Sequence, residues 1–144
     1  MEKNNTNGPE KGLFYPVVLG VVFDTKTRKI LIGKRKEKDP YIPQLTWAFP
    51  GGRPEKGEEL EKAIKREVQE ETNLDVESLG VIFARIPPEQ KDLLLIYYLC
   101  EVTGGELKAG EDFSEVTWVS PEDVEKHFTT SLHPNLKEYI LNLK

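Results

Sequence analysis

The sequence predicts an α/β (α+β) domain in which helices pack against a mixed β-sheet. Runs of β-branched and aromatic residues of strand length recur along the chain, and a long stretch without glycine or proline lies between them. The 144 residues are enough for one domain with a substantial core. We expect residues 13–144 to form that single domain and the polar residues 1–12 to be a flexible lead-in.

Several segments are predicted to be strands because they are rich in β-branched and aromatic residues and are bounded by turn-forming residues. These segments are residues 16–23, 29–36, 46–49, 78–86, 92–102 and 114–119. The composition of residues 24–27 is that of a turn, so the first two strands are predicted to form a hairpin. Two prolines make residues 39–44 a predicted loop.

Three segments are predicted to be helical. Residues 58–72 are rich in Glu, Lys, Ala and Leu and contain no glycine or proline. A second helix is predicted to begin at Ser120, whose hydroxyl can cap it, with Pro121 in the first turn and two acidic residues after it. Residues 133–144 are predicted to form the last helix.

Composition narrows the cellular setting and the partners. No apolar run approaches the roughly 20 residues needed to span a bilayer, and the N-terminus lacks the apolar stretch of a secretory signal. The single cysteine, Cys100, cannot form an internal disulfide, which favours the reducing cytoplasm. A net charge of −5 argues against broad nucleic-acid binding, which needs a basic surface.

The predicted helix at residues 58–72 combines an apolar face with carboxylates. With Leu60 at 0° and an advance of about 100° per residue, Ala63, Ile64 and Val68 all fall within about 80° of it. These residues define a face that we expect to be buried against the sheet.

Carboxylates occupy the same face near the end of this helix. Glu67 and Glu71 fall inside the apolar face and Glu70 lies beside it. A glutamate-rich helix is more often a solvated surface, but packed anions are costly unless they are paired or bound to metal, and like charges three and four residues apart disfavour the helix. Three carboxylates on one face suit a hard cation such as Mg²⁺, with Mn²⁺ as an alternative, which can polarise a phosphoryl oxygen and acidify bound water.

The segment that contains these residues resembles the Nudix box. It reads Gly52-x5-Glu58-x7-Arg66-Glu67-Val68-Gln69-Glu70-Glu71-Thr72-Asn73-Leu74, and the family pattern is GX5EX7REUXEEXGU, where U is aliphatic. The one departure is Asn73, which stands where the family has glycine. Asparagine is the usual non-glycine residue in the left-handed conformation that closes a helix, so we expect it to be tolerated.

The resemblance extends to the flanking strands at residues 30–35, 47–52 and 116–119. It implies that the chain from about Pro16 onward forms the α/β/α sandwich with a mixed sheet of the Nudix hydrolase superfamily, similar to its MutT-like or ADP-ribose pyrophosphatase-like members. By this similarity, Glu70 and Glu71 are implied to be the principal metal ligands together with the Gly51 carbonyl. Glu67 is implied to be a further metal ligand or the base that activates water.

The resemblance also implies positioning and substrate-binding roles. Arg66 is implied to orient the carboxylates through a salt bridge involving Glu58. Glu111, in a predicted loop, is the candidate for an additional metal ligand or base, although a solvated loop acid is an equal alternative. Arg35, whose planar fork suits phosphate oxygens, and Gly52, which permits close approach of the backbone, are predicted to contact substrate. A solvent-facing role for Arg35 stays open.

The implied activity is metal-dependent hydrolysis of a nucleoside diphosphate linked to another moiety, such as a nucleoside triphosphate or a nucleotide sugar, by attack of water on phosphorus. The alternatives are a nucleotide-sensing Nudix domain without turnover and an isoprenoid diphosphate isomerase. The intact glutamates argue against the first, and the absence of a cysteine near the box argues against the second. We expect a small-molecule nucleotide as partner, with neither nucleic acid nor membrane, and leave a homodimer open.

Overall fold

The computed structural model describes residues 11–143, and residues 1–10 and Lys144 lie outside the description. Most of the predicted lead-in therefore lies outside the described residues. The elements, in chain order, are β1 (Tyr15–Asp24), β2 (Lys29–Arg35), β3 (Trp47–Ala48), β4 (Gly51–Gly52), α1 (Leu60–Thr72), β5 (Leu74–Arg85), β6 (Leu93–Gly105), β7 (Phe113–Val119), α2 (Val124–His127) and α3 (Pro134–Leu141). A 3₁₀ turn at Pro121–Asp123 precedes α2.

The strands form one mixed sheet. Its central order is β3-β2-β1-β6-β5, with β4 paired to β1 and β7 paired to β2. β1 and β6 are parallel, with Leu19 opposite Tyr97, and the other pairs are antiparallel. The predicted hairpin is present as β1 and β2, which pair through Phe23 and Ile30.

Helices cover both faces of the sheet, which confirms the predicted α/β/α sandwich. Alternate residues of β1 point to opposite faces, so Val22 packs with α1 and Val21 packs with α2 and α3. The core under α1 includes Val18, Leu31, Ala63, Ile64, Val68, Val76, Tyr98 and Cys100. The core on the other face includes Ile30, Ile32, Leu95, Tyr97, Val124, Leu136 and Ile140.

α1 matches the predicted helix with one correction. Ala63, Ile64 and Val68 are fully buried, as the periodicity predicted. Leu60, the centre of the predicted face, is 37% exposed, so its predicted burial is wrong. It is the first residue of the helix, and the apolar cluster begins one turn later. At the other end Asn73 has a φ of 63°, which is the left-handed conformation that the sequence predicted.

Two strands extend three or more residues beyond a predicted end. β5 begins at Leu74, directly after the residue that closes α1, rather than at residue 78. Leu74 and Val76 are buried while Asp75 and Glu77 are exposed, which is the alternation of a half-buried strand. β6 continues to Gly105 rather than ending at residue 102.

The C-terminal helices also differ from the prediction in their ends. Ser120 makes no side-chain capping bond, so the predicted hydroxyl cap is wrong. α3 begins after His133, whose Nδ1 accepts a 3.0 Å hydrogen bond from the N–H of Asn135, and it ends at Leu141. Among the described residues, no helix has the length and apolar character required to cross a membrane.

Candidate active site

Arg66 on α1 connects three carboxylates. Its Nε and Nη2 donate to the two oxygens of Glu58 at 2.8 and 3.0 Å. Its Nη1 donates to Glu67 at 3.3 Å and to Glu70 at 3.1 Å. The ion pair that the resemblance implied is therefore present as a two-pronged contact, a strong form of charged hydrogen bond. The hydrogen bonds from Arg66, aided by the N–H of Glu55, lower the pKa of Glu58 to about 2.

Among the described residues, Glu71 is the most enclosed acidic side chain, with only 3% of the residue exposed. Its Oε1 accepts a 2.9 Å hydrogen bond from the backbone N–H of Gly51, which joins the end of α1 to β4. Asp112 lies beside it and interacts with both Glu71 and Glu67. The helix, the glycine strand and the loop before β7 therefore meet at one carboxylate.

The loop before β7 is fastened to the end of α1 by its backbone. The N–H of Lys108 donates to the carbonyl of Thr72, and the N–H of Gly110 donates to the carbonyl of Glu71, both at 2.9 Å. A side chain at position 110 would collide with the carbonyl of Glu70, so glycine permits this close approach. These contacts bring Asp112 to the carboxylates.

Glu111, the predicted loop acid, lies next to Asp112 in sequence, and both residues are exposed. The described contacts of the carboxylate cluster involve Asp112 and not Glu111. A contribution of Glu111 to metal binding stays a prediction. The loop acid that the structure places at the cluster was missed because sequence alone cannot distinguish two adjacent acids.

Burial makes two of the carboxylates bind protons more readily. Burial is the main cause that raises the pKa of Glu71 to about 9, with smaller contributions from Asp112 and Glu67 and an opposing one from the N–H of Gly51. Burial also raises the pKa of Glu67 to about 7, against the opposing charge of Arg66. For both glutamates, loss of solvent contributes more to the raised pKa than the neighbouring negative charges do.

Gly52 shapes the space around Glu67. A Cβ at position 52 would overlap the Glu67 carboxylate. The missing side chain thus leaves room for Glu67 against β4. A Cβ at Gly51 would instead collide with the carbonyl of Val18 in β1, so that glycine serves the strand pairing. The contact between Gly52 and substrate that was expected from the sequence stays a prediction.

The carboxylates fit a hard divalent cation in their chemistry. Oxygen ligands are those that Mg²⁺ prefers, and the raised pKa values of Glu67 and Glu71 show that these groups lack sufficient compensating positive charge. Within residues 11–143 no three Asp, Glu, His or Cys side chains are spaced to hold an ion as they stand. Glu67 contacts Arg66 through Oε2 and Glu70 through Oε1, so the second oxygen of each carboxylate is not used in these ion pairs.

A cavity of about 240 Å³ adjoins the carboxylates. Glu71, Asp112, Gly51 and Gly52 border it. Its walls are mainly apolar and include Val17, Leu19, Phe49, Leu93, Leu95, Tyr97 and Phe128. A largely apolar pocket with a few converging polar groups is the common form of a small-molecule site.

Two of the arginines that line the cavity differ in their environment. Arg35, predicted to contact phosphate, lies 3.7 Å from Asp39, and its Nε donates to the carbonyl of Glu37. Arg53 lies over the ring of Tyr15 at 4.7 Å and donates a 2.8 Å hydrogen bond to the hydroxyl of Tyr41. Arg53 could not be identified from the sequence, because its position beside the tyrosines depends on packing between distant segments.

The acidic helix beside a glycine strand and a small-molecule cavity defines a Nudix-type domain. Residues 13–142 match the family model of the NUDIX domain. The chain therefore belongs to the Nudix family, as the resemblance indicated.

Two known proteins illustrate the relationship in sequence. The chain is 38% identical over 104 residues to an ADP-ribose pyrophosphatase of Methanocaldococcus jannaschii, covering 70% of this chain and 60% of that protein. It is 32% identical over 102 residues to a putative 8-oxo-dGTP diphosphatase of Bacillus subtilis, covering 70% and 64%. The matched region thus spans less than two thirds of each relative.

The fold has solved counterparts. A NUDIX hydrolase from Nitrosomonas europaea superposes with a TM-score of 0.73 at 21% identity, covering 91% of this chain and 72% of that one. At this identity the likeness shows the shared fold.

Proposed function

We propose that this protein is a divalent-metal-dependent pyrophosphohydrolase that cleaves a nucleoside diphosphate linked to another moiety. The observation that carries the proposal is the position of Glu71. Its carboxylate is buried at the cavity wall, beside Asp112 and against the N–H of Gly51. A buried anion next to a second acid needs a compensating cation to stay charged.

We assign metal binding to Glu70, Glu71 and Asp112, together with the Gly51 carbonyl implied by the family. Mg²⁺ is the cation of first choice and Mn²⁺ the second. When bound, either cation would supply Lewis-acid stabilisation of the phosphoryl oxygens and would lower the pKa of coordinated water.

Glu67 is the proposed general base. In the metal-free protein burial raises its pKa to about 7, so it takes up a proton more readily than an ordinary glutamate. In the proposed reaction the water oxygen attacks phosphorus, the phosphoanhydride bond breaks, and the proton of the water passes to Glu67. The leaving phosphate carries away the electron pair of the broken bond.

Arg66 and Glu58 are proposed as positioning residues. Glu58 holds the guanidinium through two hydrogen bonds, which leaves Nη1 to contact Glu67 and Glu70. This arrangement restrains the two glutamates before cation and substrate bind. Such restraint places reacting groups in advance, which is how an active site lowers the entropic cost of reaction.

The substrate is proposed to lie with its diphosphate at the carboxylates, near Gly52 and Arg35, and with its remaining groups in the apolar cavity. An ADP-ribose pyrophosphatase and a putative 8-oxo-dGTP diphosphatase are among the relatives. We therefore propose nucleoside triphosphates and nucleotide sugars as the substrate classes to test first.

The test is release of phosphate or pyrophosphate from a panel of nucleotides, measured with Mg²⁺, with Mn²⁺ and with a chelator. The proposal expects turnover of at least one nucleoside diphosphate derivative that depends on the metal. Tight nucleotide binding without turnover under either metal would replace it with the nucleotide-sensing alternative. Turnover that is unchanged by the chelator would contradict the metal role.

We also propose a cytoplasmic setting, with a small-molecule nucleotide as partner and neither nucleic acid nor membrane. The net charge of −5 and the buried thiol of Cys100 support this setting. Localisation of the tagged full chain in cells tests it.

A further inference from the structure

A second polar cluster lines the cavity. Arg85, the last residue of β5, donates from Nη2 to the carbonyl and the hydroxyl of Ser131 at 3.0 and 3.1 Å. Glu89 accepts from the N–H of Ser131 at 2.6 Å and from its hydroxyl at 2.9 Å. All three residues line the cavity. The loop after β5 and the loop before α3 are therefore joined at this wall.

Arg85 has an unused hydrogen-bond donor. Its Nε is sealed from solvent and has no acceptor among the described residues. Its hydrogen bonds to Ser131 both leave from Nη2, and the hydroxyl of Tyr97 is a further acceptor beside the guanidinium. A buried polar group without a partner is uncommon and costly. A guanidinium donates and cannot accept, so the missing partner is an acceptor.

The register of the sheet separates Arg85 from the carboxylates. Gly51 lies opposite Leu19 in β1, Leu19 opposite Tyr97 in β6, and Arg85 opposite Leu95 in β6. The cavity floor thus crosses β4, β1, β6 and β5. Three strand spacings of about 4.8 Å place the two polar ends about 14 Å apart across the sheet. An elongated ligand with its diphosphate at Glu71 would direct its far end toward Arg85.

The wall between the two ends suits a flat apolar ring system. Leu19, Leu95, Tyr97 and Phe49 line this part of the cavity. A nucleobase offers such a ring together with acceptor atoms on its edge. A second sugar, with hydroxyls on every side, would leave many of them facing apolar side chains at a cost in free energy.

We propose that Arg85 is a specificity-determining residue that reads the edge of a 6-oxopurine base, the base class of guanine and hypoxanthine. The inference rests on the proposed function, because it takes the diphosphate to lie at the carboxylates. Arginine donors match the O6 and N7 acceptors of guanine, whereas adenine presents an amino donor at position 6. The donors of Arg85 that do not contact Ser131 are the ones that we assign to O6.

Glu89 is placed to contact the same edge of the base. Burial raises the pKa of Glu89, but the hydrogen bonds from Ser131 outweigh it, so the net pKa is lowered and the side chain stays an acceptor. A 6-oxopurine carries a hydrogen on N1, next to O6, that a carboxylate can accept. Adenine has no hydrogen on N1 and therefore loses this contact as well.

The first test compares inosine triphosphate with adenosine triphosphate, which differ only at position 6 and N1. With Mg²⁺, we expect the wild-type kcat/KM for inosine triphosphate to exceed that for adenosine triphosphate by between about 5-fold and 150-fold. Equal values for the two nucleotides, or a preference for adenosine triphosphate, would overturn it.

Two variants separate base reading from loop support. Arg85→Gln should bring the inosine-to-adenosine ratio close to 1 by lowering only the inosine value. Ser131→Ala removes the hydroxyl that contacts both Arg85 and Glu89 and keeps the backbone contacts of Ser131 with both, so it should lower the ratio less than Arg85→Gln does. An equal loss on both nucleotides in Arg85→Gln would show a structural role instead. The wild-type ratio decides the question if that variant does not fold.

Binding of the monophosphates distinguishes failure of this inference from failure of the proposed function. Inosine and adenosine monophosphate have no diphosphate to cleave, and calorimetry reports their affinity without turnover. Tighter binding of inosine monophosphate supports the inference even if no nucleotide is hydrolysed. If the protein hydrolyses nucleotides but binds the two monophosphates equally and shows equal kcat/KM for the two triphosphates, the proposed function stands and the role of Arg85 is rejected.

Discussion

The backbone N–H of Gly51 donates a 2.9 Å hydrogen bond to Oε1 of Glu71. This contact fixes one oxygen of the most buried carboxylate against β4. The other oxygen is therefore the one available to Asp112, to a proton or to a cation. The proposed activity depends on this arrangement, which requires both the helix and the glycine strand to be in place.

The two adjacent loop acids should differ in their effect on activity. Asp112→Asn should lower kcat/KM by about 10-fold or more, because it removes a carboxylate from the cluster that is proposed to hold the cation. Glu111→Gln should change it by less than about 2-fold, since surface substitutions are usually small in effect. Steady-state kinetics on the best substrate measure both. A larger loss in Glu111→Gln would restore Glu111 as the loop ligand.

The paired glycines of β4 should separate stability from activity. Gly51→Ala should destabilise the fold by about 3 kcal/mol or more, because its Cβ meets the backbone of β1. Gly52→Ala should cost less than about 1 kcal/mol, since the flexible Glu67 side chain can move away, but should lower kcat because that glutamate is displaced.

Chemical denaturation and kinetics on the same preparations test this pair. Gly12→Ala is a matched control, because a Cβ there meets nothing within 4 Å. Full activity in a stable Gly52→Ala variant would contradict the role given to the space around Glu67.

The end of α1 should tolerate glycine better than alanine. Asn73 holds a φ of 63°, and its Nδ2 donates to the carbonyl of Glu106 at 2.9 Å. Asn73→Ala should lower the free energy of unfolding by about 1–2 kcal/mol, because it loses the hydrogen bond and strains the left-handed backbone. Asn73→Gly loses only the bond and should cost about half as much or less. Equal losses would show that the backbone conformation carries no cost.

Stability without metal should fall as the pH rises. The folded-state pKa of Glu71, about 9, and that of Glu67, about 7, lie above the ordinary value of 4.5. The folded state therefore keeps protons that the unfolded state releases, so the Tm should decrease between about pH 5 and pH 9. The chelated protein in a thermal scan should show this trend, and Glu71→Gln should show a shallower one. Added Mg²⁺ should raise the Tm more at the alkaline end, and an identical pH profile in Glu71→Gln would contradict this reading.

The parts of the fold that follow local patterns could be predicted from sequence. The periodicity of α1 predicted the burial of Ala63, Ile64 and Val68, and the Nudix box located the glutamates beside them. The exposure of Leu60 could not be read from periodicity, because it depends on where the sheet ends beneath the helix. The parallel pairing of β1 with β6 likewise joins segments that are distant in sequence.

The site residues that could not be predicted from the sequence were missed for the same reason. Asp112 reaches the carboxylates through backbone contacts of its loop with the end of α1. Arg53 and Arg85 take their positions from tyrosine packing and from Ser131, neither of which has a spacing rule. The positions of these residues depend on tertiary contacts between segments that are distant in sequence.

The most direct test of the metal-dependent activity compares two glutamates on the same helix. Glu70→Gln removes a proposed metal ligand, and Glu61→Gln removes an exposed carboxylate from the first turn of α1. With Mg²⁺ and the best nucleotide of the panel, Glu70→Gln should lower kcat/KM by at least about 100-fold and Glu61→Gln should stay within about 2-fold of wild type. Equal rates in wild type and Glu70→Gln would contradict the proposed metal site.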